Sequence, residues 1–262
     1  MIVVILGAAS LVVVIVLTLW KHFGLSIKLT RFEAMLRHGE AEAAVPGLRA
    51  LENRHHGELR VHQLLAQALM TVGEYRQAVR EWELVMLVNR RERVLAVAEM
   101  AGPLADCQMA LGEWREAQGG LLLALKSCPA EVSLLERLAM VYLKRGMARH
   151  AVSCYESVLK LDGECVTTLI KLATVQEIAG DLRGALATAL HVLRLDAKNG
   201  PAALLAARLS SGFGNHAAAE QHWRILAERQ EYRSEGLPGL ASSIEAQPGR
   251  RDEAVEAWMS AL

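Results

Sequence analysis

From Leu25 onward, apolar residues recur at steps of three and four, and the runs are punctuated by glycine at Gly39, Gly73, Gly112, Gly146, Gly180, Gly214 and Gly249. The intervals are 34, 39, 34, 34, 34 and 35 residues. An alanine follows each glycine by five positions: Ala44, Ala78, Ala117, Ala151, Ala185, Ala219 and Ala254. A unit of this length accommodates two short amphipathic helices and a tight turn; neither helix can bury its apolar face alone, so neighbouring units must stack. Glycine is expected where the first helix ends in a left-handed residue. The alanine is expected on the second helix, where the two backbones come closest.

Around these points the apolar positions repeat in register. Leu65 and Ala66 precede Gly73, and Tyr75, Ala78, Trp82 and Val85 follow it. The next two units read Leu104, Ala105, Gly112, Trp114, Ala117, Leu121 and Ala124, then Leu138, Ala139, Tyr142, Gly146, Ala151, Tyr155 and Val158. Leu172, Ala173, Gly180, Leu182, Ala185 and Val192 continue the series, as do Ala206, Ala207, Gly214, Ala219, Trp223 and Leu226. This pattern resembles the tetratricopeptide repeat family over about Leu25 to Leu262, most strongly from Leu59 to Leu195. The resemblance implies an all-α, right-handed superhelical solenoid of about seven helix hairpins.

The chain departs from that pattern in places. The proline that usually closes a repeat is present only as Pro129, with Arg90, Gly163, Ala197 and Glu231 at the equivalent positions. The extra residues around Asn89 to Arg93 should lengthen a helix or a loop. Pro238 and Gly239 are expected to interrupt the first helix of the last unit, leaving an apolar face open around Val255, Trp258 and Leu262 through which the chain could self-associate. The expected organisation is an anchor over 1–23, a degenerate repeat over 24–58, a core array over 59–233 and a degenerate terminal repeat over 234–262.

Residues 1–20 contain no charge and are rich in Val, Ile and Leu. At about 1.5 Å per helical residue, such a stretch crosses roughly 30 Å of hydrocarbon. No basic residue precedes the apolar run and no small-x-small cleavage site closes it, which favours an uncleaved transmembrane anchor over a secretory signal or a buried soluble helix. Trp20, Lys21, His22 and Phe23 read as an interfacial belt. Lys21, Lys28, Arg31 and Arg37 follow the span, so the positive-inside bias puts the repeats in the cytoplasm of a bacterial inner membrane, with a periplasmic array as the alternative.

Composition narrows the function. Lysine plus arginine balances aspartate plus glutamate at 29 each, so no overall field draws nucleic acid or an acidic surface. Trp82, Trp114, Trp223 and Trp258 fall in or near second helices, where they read as packing residues rather than base-stacking platforms. Cys107, Cys128, Cys154 and Cys165 form no CxxC pair and read as free, partly buried thiols. No HExxH, GxSxG or phosphate-loop motif occurs, so neither an enzyme nor a cofactor is expected. His55, His56 and His62, or His216 and His222, lack the cysteine or carboxylate companions of a tetrahedral set, and no metal is expected. The charged runs from Asn89 to Arg93 and from Gly249 to Glu253 read as solvated turns and helix starts.

The architecture implied by the resemblance provides a groove lined by first helices. Counting helical steps back from each glycine places Gln63, Gln67, Met70, Asp106, Met109, Glu136, Met140, Lys144, Ile170, Thr174, Glu177 and Arg208 there. This mixed lining suits an extended or helical protein segment, with methionines adapting in shape and polar groups fixing register. The basic, asparagine-rich clamp by which some members of the family hold chaperone tails is replaced by Gln63, Gln67, Gly102 and Asp106. The expected function is a membrane-anchored scaffold that recruits a protein partner, in assembly of an envelope or motility complex. The alternative is an adaptor like the membrane-tethered tetratricopeptide family that presents an enzyme to a protease in lipopolysaccharide control. That family ends in a metal domain with paired cysteines, whereas no cysteine follows Cys165 here.

Overall fold

The computed structural model describes residues 23–261, which are helical apart from turns and contain no strand among the described residues. Helix α1 covers 23–37. It is followed by α2 (Ala41–Glu52), α3 (Leu59–Val72), α4 (Tyr75–Glu92), α5 (Val97–Ala110) and α6 (Trp114–Ser127). These six form one compact unit that ends at Cys128. The second unit contains α7 (Val132–Lys144), α8 (Ala148–Asp162), α9 (Val166–Ile178), α10 (Leu182–Leu195), α11 (Gly200–Gly212), α12 (His216–Ala227), α13 (Arg233–Glu245) and α14 (Arg251–Ala261). The anchor expected over 1–20 lies outside the described residues. Among those described, no helix is long and apolar enough to cross a membrane.

Each expected hairpin turn is present. All seven periodic glycines have φ between 72° and 86°, a region that costs an L side chain strain. At Gly73 the chain folds back through two main-chain bonds, Gly73 N–H to the Met70 carbonyl at 3.1 Å and Glu74 N–H to the Leu69 carbonyl at 2.9 Å. The same paired bonds recur at Gly39, Gly112, Gly146, Gly180 and Gly214, satisfying carbonyls that the end of a helix would otherwise leave open. The alanine five residues on is buried in every unit, from Ala44 to Ala254. Its methyl group is the spacer between the two helices, and a branched side chain there would separate them.

Within each unit the apolar faces merge. In the first, Leu48, Leu65, Leu69, Trp82, Val85 and Leu104 share one cluster that Leu25 and Leu29 of α1 extend. In the second, Leu193 of α10 touches three smaller clusters, joining the layers built on Leu169, on Ala173 and on Trp223. A side-chain contact twelve residues long also crosses several turns: Trp82 Nε1 donates to Met70 Sδ at 3.2 Å, Thr188 Oγ1 to Gln176 Oε1 at 2.8 Å, and Trp223 Nε1 to Ser211 Oγ at 3.3 Å. These contacts let a buried indole or amide keep a partner while its body fills the hairpin core.

Three sequence expectations change. Pro238 and Gly239 do not interrupt the first helix of the last unit; α13 runs through them after a 3-10 turn at Gln230–Tyr232. The glycines there serve contact: a Cβ on Gly236 would lie 2.7 Å from the Ala227 amide nitrogen, and one on Gly239 would lie 2.5 Å from the Trp223 ring. The charged run Asn89 to Arg93 is not a solvated turn throughout. Asn89 is buried, its Oδ1 accepts the Val94 and Leu95 amides at 2.9 and 2.8 Å, and its Nδ2 donates to the Leu95 carbonyl. The extra residues thus lengthen α4 to 18 residues and close it at left-handed Arg93. Trp258, read both as a packing residue and as part of an open terminal face, is exposed together with Val255, so only the second reading holds; its Nε1 donates to Glu245 at 3.1 Å.

Candidate functional site

The candidate surface is the solvent side of the first helices within each unit. Its geometry begins with helical period: residues four apart share a face, so Gln63 and Gln67 stand together on α3, and Glu136, Met140 and Lys144 on α7. In the first unit a cavity of about 370 Å³ opens between α1 and α3, lined by Glu33, Leu36, Arg37, Gln63, Leu64 and Gln67. Arg60 of α3 binds Glu33 of α1 beside it, tying the two first helices together. Met70 is turned away from this cavity, its sulfur engaged by Trp82, and belongs to the hairpin core. On α5, Asp106 and Met109 are half-buried.

In the second unit the first helices are cross-braced. Lys171 Nζ of α9 donates to Glu136 Oε1 of α7 at 2.6 Å, and Arg208 Nη2 of α11 donates to Glu177 Oε1 of α9 at 3.1 Å. These pairs are partly solvated, so each contributes about 0–1 kcal/mol; their effect is to hold three helices in register. Between them Met140 and Ile178 are exposed, while Ile170 is half-buried. Thr174 is exposed and bonds back to the Ile170 carbonyl at 2.9 Å, leaving its methyl outward. The solvent side of α7 and α9 thus carries exposed Met140 and Ile178 alongside the Glu136–Lys171 and Glu177–Arg208 pairs.

Lys171, Ile178 and Glu33 were not among the positions expected from sequence. Lys171 sits one residue beyond Ile170 and reaches the neighbouring helix only because successive first helices lie side by side. Its 35-residue separation from Glu136, close to the repeat length, was the available signal.

Two polar clusters lie outside this surface. His62 of α3 is buried, with Nδ1 2.7 Å from Glu81 Oε2 and Nε2 2.9 Å from the His56 carbonyl. Glu52, His62 and Glu81 place one potential ligand atom each within 4.8 Å of the others. Both imidazole nitrogens are already engaged, and the hydrogen bond that Nδ1 donates to Glu81 is the main cause that raises the imidazole pKa above 6.5. Contrary to the sequence expectation, His62 therefore has two carboxylate companions, Glu52 and Glu81, brought to it from neighbouring helices. In the second unit Glu220 of α12 receives Arg250, Arg224 and Gln247, which hold its pKa down to about 2, the Arg250 bond being the largest cause. Arg250 is thereby a buried-edge clamp and not a solvated helix start. His222, on the same helix, has a buried Nδ1 without a hydrogen-bond partner, and burial lowers its pKa.

The sequence matches no protein-family model and no curated protein. Similar solved structures exist. The carboxy-terminal part of a TPR repeat-containing protein from Cytophaga hutchinsonii superposes with a TM-score of 0.75 at 13% identity, covering 89% of this chain and 94% of that one. The pilF protein of Pseudomonas aeruginosa gives 0.59 at 19% identity, with coverage of 79% and 94%. MamA gives 0.57 at 18%, with coverage of 63% and 90%. At these identities the likeness speaks to fold alone, and the fold of this chain is that of a tetratricopeptide-like array of helical hairpins.

Proposed function

We propose that the protein is a membrane-anchored scaffold that holds a polypeptide partner on the first-helix face of its hairpin array. The observation that carries this reading is the cross-bracing of α7, α9 and α11 by Glu136–Lys171 and Glu177–Arg208, which fixes an exposed strip containing Met140 and Ile178 before any partner arrives. A preorganised surface spares a ligand part of the ordering cost of binding. Methionine and isoleucine flanked by Thr174 and Lys144 fit an amphipathic helix or an extended segment with alternating apolar residues. The work is binding and not bond chemistry.

Anchoring rests on the uncharged residues 1–20 and on the cations that follow them. A span there would confine the partner near other membrane proteins and raise its effective concentration without any new contact. The basic flank favours arrays on the cytoplasmic side of a bacterial inner membrane, and assembly of an envelope or motility complex is a setting that uses such confinement.

Site-specific photocrosslinking in intact membranes tests the surface. A crosslinker at Gln67 or Met140 should capture a discrete protein, while one at exposed second-helix positions Leu123 or Leu190 should not. Capture only from the second-helix positions would refute the reading. A variant lacking residues 1–23 should keep the captured partner in solution and yet fail to complement a deletion; full complementation would remove the need for an anchor.

A further inference from the structure

The first hairpin has a second cavity, of about 390 Å³, between α1 and α2. Its floor is apolar. The Phe32 ring lies over Gly47, where a Cβ would come within 2.5 Å of the ring, and Met35 and buried Leu51 complete the base. Its rim is basic: Lys28 and Arg31, one turn apart on α1, face Arg54 just beyond the end of α2. No acidic residue lines it, and none of the three cations makes an ion pair or hydrogen bond among the described residues.

Elsewhere in the same unit, Arg49 is held by Glu74 and Arg60 by Glu33. Three unneutralised cations around one concavity repel one another and are stabilised by an anion set among them. The apolar floor adds a preference for an anion joined to hydrocarbon.

Position in the chain supplies the second argument. Lys28 follows the uncharged stretch of residues 1–20 by eight residues. Phe23 and Ile27, four apart on α1 and both exposed, present apolar side chains at the end of the helix nearest that stretch. From Phe23 to Lys28 the helix rises about 7–8 Å. That matches the headgroup layer, roughly 5–8 Å on each side of the hydrocarbon.

We infer that this cavity is a headgroup site for an anionic phospholipid, with Lys28, Arg31 and Arg54 around the phosphate and Phe32, Met35 and Leu51 against the glycerol and first acyl carbons. The inference rests on the anchored reading above. It adds to that reading a function for the first hairpin: seated on a lipid, it fixes the angle at which the array leaves the bilayer.

The test uses the full chain in phosphatidylcholine nanodiscs, with and without phosphatidylglycerol, read by amide hydrogen exchange. Phosphatidylglycerol should slow exchange over residues 28–54 by about tenfold, a conservative figure for three cations at roughly fivefold each. Exchange in α3 serves as the control for folding and should not change. The triple variant Lys28→Gln, Arg31→Gln, Arg54→Gln should lose the effect, while Arg37→Gln, a cation of α1 outside the cavity, should keep it. Equal exchange in the two kinds of disc overturns the headgroup site, as does loss of the effect in Arg37→Gln alone, which would signify general surface attraction. Inorganic phosphate that protects phosphatidylcholine discs equally well would assign the cavity to a free anion and also overturn it. Flotation separates the two readings: protein that floats with both vesicle types but shows no lipid-dependent protection leaves the anchor standing, whereas protein that floats with neither removes both.

Discussion

The Nδ1 of His62 and the Oε2 of Glu81 are 2.7 Å apart, and the other ring nitrogen faces the carbonyl oxygen of His56 at 2.9 Å. A carbonyl only accepts, so Nε2 carries hydrogen; a carboxylate beside Nδ1 then requires a second proton on the ring. The imidazolium is held by the Glu81 hydrogen bond first, with burial opposing and with the His56 carbonyl and the charges of Glu81 and Glu52 assisting.

Because this pKa is raised in the folded state, the pair's contribution to stability is complete below about pH 6.5 and is lost as pH climbs through the folded value. Urea unfolding followed by circular dichroism should show stability declining as pH rises from about 6.5. Glu81→Gln should flatten that slope and destabilise chiefly at lower pH. His62→Ala, which strands Glu81, should cost about 2–4 kcal/mol. An unchanged slope in Glu81→Gln would show that the pair stays neutral.

Glu220 has the opposite sign. Its folded pKa is depressed to about 2 by Arg250 foremost, so the stabilisation is present above the ordinary carboxylate value near 4.5 and disappears as pH falls from there toward 2. Glu220→Gln preserves shape but removes the charge that Arg250 and Arg224 share. We expect a loss of about 1–3 kcal/mol at neutral pH and a shallower acid transition, measured by the same unfolding curves.

The four thiols should separate in reactivity. Cys165, at the start of α9, is brought down to about 7 by the Thr167 hydroxyl first, whereas burial drives Cys107 and Cys154 up to about 11. Thiolate is the attacking species, so at neutral pH about half of Cys165 is reactive against roughly one part in ten thousand of the buried pair. Brief iodoacetamide treatment and peptide mass mapping should label Cys165 well before those two. Thr167→Val should slow it.

Gly236 packs α13 against the end of α12 so closely that one added methyl group meets the backbone of Leu226 and Ala227. Gly236→Ala should destabilise the protein by about 1–3 kcal/mol through overpacking. Gly57→Ala, in open space and without a left-handed backbone, should have little effect. Equal melting shifts for the two would contradict the proximity of these helices.

The hairpins were legible in the sequence because their signals are local and periodic: a left-handed glycine, an alanine five residues later and apolar steps of three and four. Pro238 and Asn89 depart from their local pattern for a related reason. Proline reads as a breaker, yet α13 begins five residues before it, and Asn89 reads with its charged neighbours, yet its partners are main-chain amides on the far side of a turn. His62–Glu81 joins two helices across 19 residues, and Glu220–Arg250 joins α12 to the residue before α14 across 30. Such meetings depend on the axial offset between helices, which a one-dimensional pattern does not carry. The first-helix surface was half legible: the face could be counted from each glycine, but the neighbours that neutralise Glu136 and Glu177 could not.

The fold-back bonds at the glycine turns confine each bend to its own hairpin, so variation in length is absorbed elsewhere. The stretch between Gly73 and Gly112 shows where: its additional residues lengthen α4, whose far end Asn89 closes, while the turns at Gly73 and Gly112 keep the same two bonds. Length can thus change at the far end of a second helix, where one hairpin hands over to the next, without disturbing the bend on either side.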